Sequence, residues 1–91
     1  METTALEAKF EASVADSKTL KERPDNDVLL KLYSLYKQSV AGDAPEKGDY
    51  GMFDFAGKAK HEAWKQLKGM SREDAMQQYV DLVTLLKSAD T

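Results

Sequence analysis

NDVLLKLYSLYKQSVAG (residues 26–42) carries two apolar stripes at once. Val28, Leu32 and Leu35 make one, and Leu29, Tyr33, Tyr36 and Val40 make a second beside it. Steps of three and four residues are the period of an α-helix, whereas a half-buried strand would alternate every second residue. A helix that is apolar on two adjacent sides contacts apolar material on both, either two other helices or one helix and a ligand. Asp25 or Asn26 is suited to cap its start, and Gly42 to end it, because glycine adopts the terminating conformation at no steric cost.

Working outward, Pro24 marks a connection before this helix, since proline disfavours helical geometry in the residue preceding it. Upstream, a helix is predicted from about Thr4 to Ser17, with Thr4 and Glu7 in capping-box spacing and Leu6, Phe10 and Val14 on one face. Downstream, residues 43–53 and Gly42 combine a proline, three glycines and several charges, the composition of a long irregular loop. Loops of this length often carry function. A third helix follows, capped by Asp54, with Ala59, Ala63 and Leu67 on one side and Gly69 after its end. Ser71 and Asp74 open the last helix as a second capping box; its stripe is Ala75, Met76, Tyr79, Val80, Val83 and Leu86. There is no internal repeat. The fold expected is all-α, a four-helix bundle with one long central loop.

Ninety-one residues suffice for one hydrophobic core, so residues 1–91 are expected to form a single domain. The chain has no cysteine, which excludes disulfides and thiolate metal sites and leaves packing as the source of stability. It holds 13 Lys and Arg against 16 Asp and Glu, a net charge of −3 that repels a generic polyanion, whether nucleic acid or an anionic membrane surface, and argues against nucleic acid as a partner. No stretch of about twenty apolar residues could span a bilayer, and the opening METTALEAKFEAS lacks the pattern of a signal peptide. A cytoplasmic location without stable membrane insertion is expected.

Catalysis needs a nucleophile, base or metal in mutual reach, and the chain offers one histidine, no cysteine and no glycine-rich phosphate loop. His61 has no carboxylate at triad or metal-site spacing, and Glu73 with Asp74 suits the first turn of a helix, where the macrodipole favours acids. No catalytic residue, metal site or cofactor is assigned. More informative are Tyr33, Tyr36 and Lys37, which share one helix face. Flat rings with hydroxyl tips beside a point charge suit an aromatic base carrying phosphate; equally, both tyrosines can be core and Lys37 can snorkel. The third helix adds Lys58, Lys60, Lys65 and Lys68, with Lys60 and Trp64 on one face. Lys65 and Lys68 fit a solvated surface.

The stretches LYSLYKQSVAGD (32–43), GMFDFAGKAKHEAW (51–64) and LKGMSREDAMQQYVDLV (67–83), together with the Phe10 to Pro24 segment, resemble the acyl-CoA-binding protein family. The likeness spans nearly the whole chain and rests on several motifs in register. It implies an up-down-down-up bundle that binds medium- to long-chain fatty acyl-CoA in a surface bowl. The tyrosine matching Tyr33 meets the adenine and 3′-phosphate end of CoA, and those matching Tyr36 and Lys37 line the site, the lysine contacting phosphate. Lys60 matches the other main phosphate partner, and Tyr79 the tyrosine that closes the site from the last helix. Phe10, Val14, Leu29 and Leu30 match residues bordering the base or the acyl groove.

The resemblance further implies a monomeric carrier and buffer, not an enzyme, that exchanges its ligand with enzymes producing and consuming acyl-CoA. Two positions depart from the family pattern: Ala56 stands where many relatives carry lysine, and His61 where many carry tryptophan. The latter removes an aromatic wall near the acyl chain. The loop around Gly48, Asp49 and Tyr50 is slightly longer than usual. The competing reading is a helical adaptor whose second helix binds a partner protein and which has no CoA ligand.

Overall fold

Thr4 caps the first helix through its hydroxyl, which accepts from the Glu7 N–H at 3.0 Å and donates to the Glu7 carboxylate at 3.1 Å. The computed structural model describes residues 4–89. Four helices occur among them: α1 (Ala5–Ser17), α2 (Asn26–Ala41), α3 (Phe55–Lys65) and α4 (Arg72–Ala89). Asp25 occupies the position before α2 but makes no side-chain cap bond, whereas Asp54 caps α3 by accepting from the Gly57 N–H at 2.9 Å. Ser71 caps α4 the same way, accepting from the Asp74 N–H at 3.0 Å. Gly42 ends α2 at φ +80°, a conformation that side chains with a Cβ resist. The third helix stops at Lys65 and reaches Gly69 through i to i+3 turns rather than as regular helix.

The close helix pairs are α2 with α4, α1 with α4, and α2 with α3. Residue pairings give their directions. Tyr79 bonds Ser17 and Lys87 bonds Thr19, so α1 and α4 run parallel. Gln38 bonds Met70 and Tyr36 meets Tyr79, so α2 runs against α4. Tyr33 meets Lys60 and Gly42 meets Trp64, so α2 and α3 run parallel, joined by the long loop. The result is the up-down-down-up bundle.

Leu32 and Leu35 of the first α2 stripe pack with Phe10, Ala75, Tyr79 and Val83 as the core, and Val28, Met76, Val80 and Leu86 border it. The second stripe is not covered by a helix: Leu29 and Tyr33 are half-buried, and Tyr36 and Val40 are exposed. Because α1 packs on α4 and leaves α2, this stripe faces an open cleft. Alternation of hydrophobicity did not flag Ser34, Gln38 and Ser39, which are also buried. Ser34 and Ser39 turn their hydroxyls back onto the α2 carbonyls of Lys31 and Leu35, which lets small polar residues sit at a crowded helix crossing.

Candidate functional site

The cleft between α1 and α2 contains a groove of about 320 Å³. Val14, Leu29, Tyr33, Tyr36 and Tyr79 line it, five of the nine residues singled out from sequence, together with Ser17, Lys18 and Leu20. Its floor is aromatic. Phe10 stacks on Tyr36 with ring centroids 6.0 Å apart and meets Tyr79 edge-on at 5.2 Å. The Tyr79 hydroxyl donates to Ser17 Oγ at 3.2 Å, and Ser17 in turn donates to the Val14 carbonyl at 2.7 Å. Phe10 and Tyr79 are buried core residues; Tyr79 also lines this groove, whereas Phe10 stands behind Tyr36 outside it.

Both candidate cations lie over aromatic faces. Lys60 Nζ sits 5.5 Å from the Tyr33 ring centroid, and Lys37 Nζ sits 4.9 Å from that of Trp64. Cation–π contacts of this kind contribute ~0.5–1 kcal/mol at exposed sites and hold an ammonium head in place without neutralising it. Trp64 is itself fixed, donating its indole N–H to the Gly42 carbonyl at 2.8 Å. Tyr33, Tyr36 and Lys37 leave one helix face but diverge at their tips: Tyr36 leans towards α1 and α4, while Tyr33 and Lys37 meet α3.

Leu30 points elsewhere than Leu29. It lines a second groove of about 310 Å³ between α2 and α3, with Ala59, Ala63 and Leu67 among its walls. Small side chains at 59 and 63 are what leave that space open. Of the nine candidates only Leu30 lines this second groove; Lys60 of α3, the chain neighbour of Ala59 there, reaches Tyr33 in the wall of the first. A third depression of about 480 Å³ continues past Phe10, Val14 and Tyr36 towards Val40 and Met76, with Glu7 and Glu11 on its rim.

A polar latch fixes the far end of α2. Gln38 donates to Asp43 Oδ1 and to the Met70 carbonyl, both at 2.8 Å, and the Gly69 N–H donates to the same Asp43 oxygen at 2.9 Å. The Gly69 bond first, then the Gln38 amide, hold the Asp43 carboxyl below its ordinary value. The loop is laid onto α3 at His61, whose ring lies 5.9 Å from Tyr50 and 6.2 Å from Trp64. Gly48 passes so close that a Cβ there would come within 2.8 Å of His61 Cγ. His61 is thus a buried packing residue, its Nε2 without a hydrogen-bond partner among the described residues. Among those residues no group of three or more His, Cys, Asp or Glu is placed to hold a metal ion, and no helix is long and apolar enough to cross a membrane.

Lys65 and Lys68 lie on the surface and pair with Glu46 at 3.6 and 3.8 Å. Lys18 and Ser17 were missed in the sequence reading. Lys18 follows Val14 by four residues and shares its face, a signal that was available; Ser17 carried none, since its role depends on Tyr79, 62 residues away.

The family model described as "Acyl CoA binding protein" matches residues 7–83. The chain belongs to the acyl-CoA-binding protein family. It is 50% identical over 74 residues to Acyl-CoA-binding protein homolog 1 of Caenorhabditis elegans, covering 81% of this chain and 85% of that protein. It is 44% identical over 85 residues to Enoyl-CoA delta isomerase 2 of Rattus norvegicus, covering 93% of this chain but 22% of that longer protein. Among solved structures, Oryza sativa Acyl-CoA-Binding Protein 2 superposes with a TM-score of 0.83 at 37% identity, covering 96% of this chain and 99% of that one. The acyl-CoA-binding protein of Moniliophthora perniciosa gives 0.82 at 35%, covering 100% and 88%. The family is one of ligand-binding proteins, and its fold is the four-helix bundle described above.

Proposed function

We propose that this chain is a non-enzymatic carrier that takes the CoA head in the α1–α2 groove and the hydrocarbon tail in the α2–α3 groove. The observation that carries the reading is the Tyr33–Lys60 contact at 5.5 Å, which joins a wall of the α1–α2 groove to α3 beside Ala59 of the α2–α3 groove. A ligand that meets this cation and ring and also the Leu30, Ala59, Ala63 and Leu67 side chains is anionic and aromatic in one part and apolar in another, which is the chemistry of an acyl-CoA thioester. Tyr33 and Tyr36 offer faces to the base, Lys37 and Lys60 offer charge to phosphate, and Tyr79 with Phe10 and Val14 closes the wall behind the base. Lys18, on the same wall, is a third cation for the head. Leu30 borders the tail, and Leu29 lies under the head.

Energetics divide the work. About fourteen methylenes leaving water at ~0.8 kcal/mol each supply on the order of 11 kcal/mol before ordering costs, so the tail provides most of the affinity. Each lysine–phosphate bond adds roughly 1.5–3 kcal/mol and rejects a free fatty acid, which would leave the cations unpaired. The chain so acts as an intracellular buffer, expected to be monomeric in the cytoplasm and to hand its ligand to enzymes that make and use acyl-CoA.

Calorimetric titration with octanoyl-, myristoyl- and palmitoyl-CoA and with CoA alone tests this. Affinity is expected to climb with chain length to a plateau and to be far weaker for CoA. Equal affinity for all four ligands would refute the tail-burial account, and no response to any would return the chain to the adaptor reading.

A further inference from the structure

The cleft that α1 leaves open against α2 runs on past the head groove. Val14 and Tyr36 line that groove and also the depression of about 480 Å³ beyond it, whose floor continues through Phe10, Val40 and Met76. A hollow of about 240 Å³ shares Met76 and carries the depression on to Leu6 and Thr4 at the start of α1. From Val14 back to Thr4 is ~15 Å, at ~1.5 Å per residue, or about three turns of helix. This outer half of the cleft has no part in holding the CoA head or the tail. Its floor is nonetheless open, with Val40 45% and Tyr36 38% exposed on the side of α2 that α1 leaves uncovered. Its edge is acidic: Glu7 and Glu11 stand one turn apart on α1, and among the described residues neither is ion-paired.

We propose that the outer half of the cleft docks an amphipathic helix of a partner protein, apolar on the face it buries and basic along the edge that meets Glu7 and Glu11. Shape selects a helix. An apolar trough three turns long between two helices is filled by a third, whose side chains at i, i+3, i+4 and i+7 reach the floor; a compact ligand would leave most of that length open. Charge selects the basic edge. Residues 1–17 hold four carboxylates against one lysine, −3, which is the whole net charge of the chain, whereas residues 18–91 hold twelve charges of each sign. The excess acid therefore lies on the segment that walls the trough, and Glu73 offsets Arg72 in the hollow. Position selects the kind of partner. Because Val14 and Tyr36 belong to both halves of the cleft, a docked helix touches a wall of the groove that takes the CoA head. On the carrier reading, on which this last step rests, that is where an enzyme receiving the ligand would engage.

The test uses the full chain and, as probe, a capped peptide of about twelve residues with leucine at helical spacing and lysine elsewhere; a second peptide carries glutamate in place of lysine. Fluorescence anisotropy of the labelled peptides is expected to show binding of the lysine peptide and none of the glutamate peptide. Glu7→Gln/Glu11→Gln should weaken that binding about three- to thirtyfold, the factor of two rim ion pairs, and Val40→Ser roughly threefold for the lost floor contact. Asp16→Asn/Asp81→Asn removes the same charge outside the trough and should change affinity less than about twofold. Circular dichroism checks that each variant is folded. On titration with the lysine peptide, amide shifts of the wild type should cluster at Glu7, Glu11, Val40 and Met76. No binding of the lysine peptide, equal binding of the two peptides, equal loss in the two double variants, or shifts confined to another face overturns the proposal. So does concentration-dependent self-association of the wild type that Val40→Ser abolishes, because the trough would then belong to a second copy. Peptide binding at these residues by a wild type that binds no acyl-CoA would refute the carrier reading while upholding the docking surface.

Discussion

Lys60→Ala, compared with Lys65→Ala, puts the residue assignment under most strain. Both changes remove one exposed lysine of α3, so they lower long-range attraction to an anionic ligand equally. Their surroundings differ. Lys60 lies over the Tyr33 ring at 5.5 Å, whereas Lys65 pairs with Glu46 at 3.6 Å. Losing the Lys65 pair should cost under ~1 kcal/mol of stability, because it is a surface ion pair and Glu46 retains Lys68 at 3.8 Å. Losing the Lys60 cation–π contact should cost ~0.5–1 kcal/mol of stability. Binding separates them. A charge-assisted bond to phosphate of roughly 1.5–3 kcal/mol predicts about ten- to a hundredfold weaker binding for Lys60→Ala, and less than about threefold for Lys65→Ala. Calorimetry with palmitoyl-CoA and its 3′-dephospho analogue reads both. If Lys60 meets the 3′-phosphate, the wild type loses affinity on dephosphorylation and Lys60→Ala loses much less. Equal effects of the two substitutions would reduce the site to a diffuse basic surface. An unchanged Lys60→Ala affinity would remove the assignment.

Tyr33→Asn should weaken acyl-CoA binding with helix content retained, since Tyr33 is half-buried at a groove wall and outside the core cluster; a large fall in melting temperature with affinity preserved would instead make it a packing residue. Trp64→Phe leaves the Gly42 carbonyl without its donor and trims a buried ring, so urea unfolding followed by circular dichroism should show a loss of about 1–3 kcal/mol, and a loss under ~0.5 would mean the bond is replaced by water. The Gly69 and Gln38 hydrogen bonds lower the Asp43 carboxyl pKa, so their contribution is complete above the ordinary carboxylate range and is lost as pH falls through the lowered value. Melting temperatures from pH 7 to pH 3 should therefore fall less steeply for Asp43→Asn than for the wild type, starting from a lower value at neutral pH; parallel curves would refute the latch.

Helix existence was legible because it is local. Caps at Thr4, Asp54 and Ser71 act within three residues, and the α4 stripe of Ala75, Tyr79 and Val83 repeats at the helical period, so each could be read without knowing its partner. The limits of local reading show at α2. Two apolar stripes were visible, but periodicity does not say which is covered; only the packing of α1 on α4 leaves Tyr36 and Val40 facing the cleft. Likewise, the spacing of Tyr33, Tyr36 and Lys37 predicted a shared face and not their divergence, which depends on where the rings of Phe10, Tyr79 and Trp64 stand.

The sequence by itself therefore determined an all-α chain of four helices, a long loop, and a helix face shared by Tyr33, Tyr36 and Lys37, while the family resemblance supplied the acyl-CoA ligand. Tertiary structure decided that Lys60 of α3 meets Tyr33 of α2, that Leu29 and Leu30 face different grooves, that His61 and Gln38 are buried, and that Met52, Phe53 and Phe55 are not. The reason is one of range. Backbone hydrogen bonds and caps are settled within a turn of helix, whereas burial and the meeting of side chains depend on which helices the loops bring side by side.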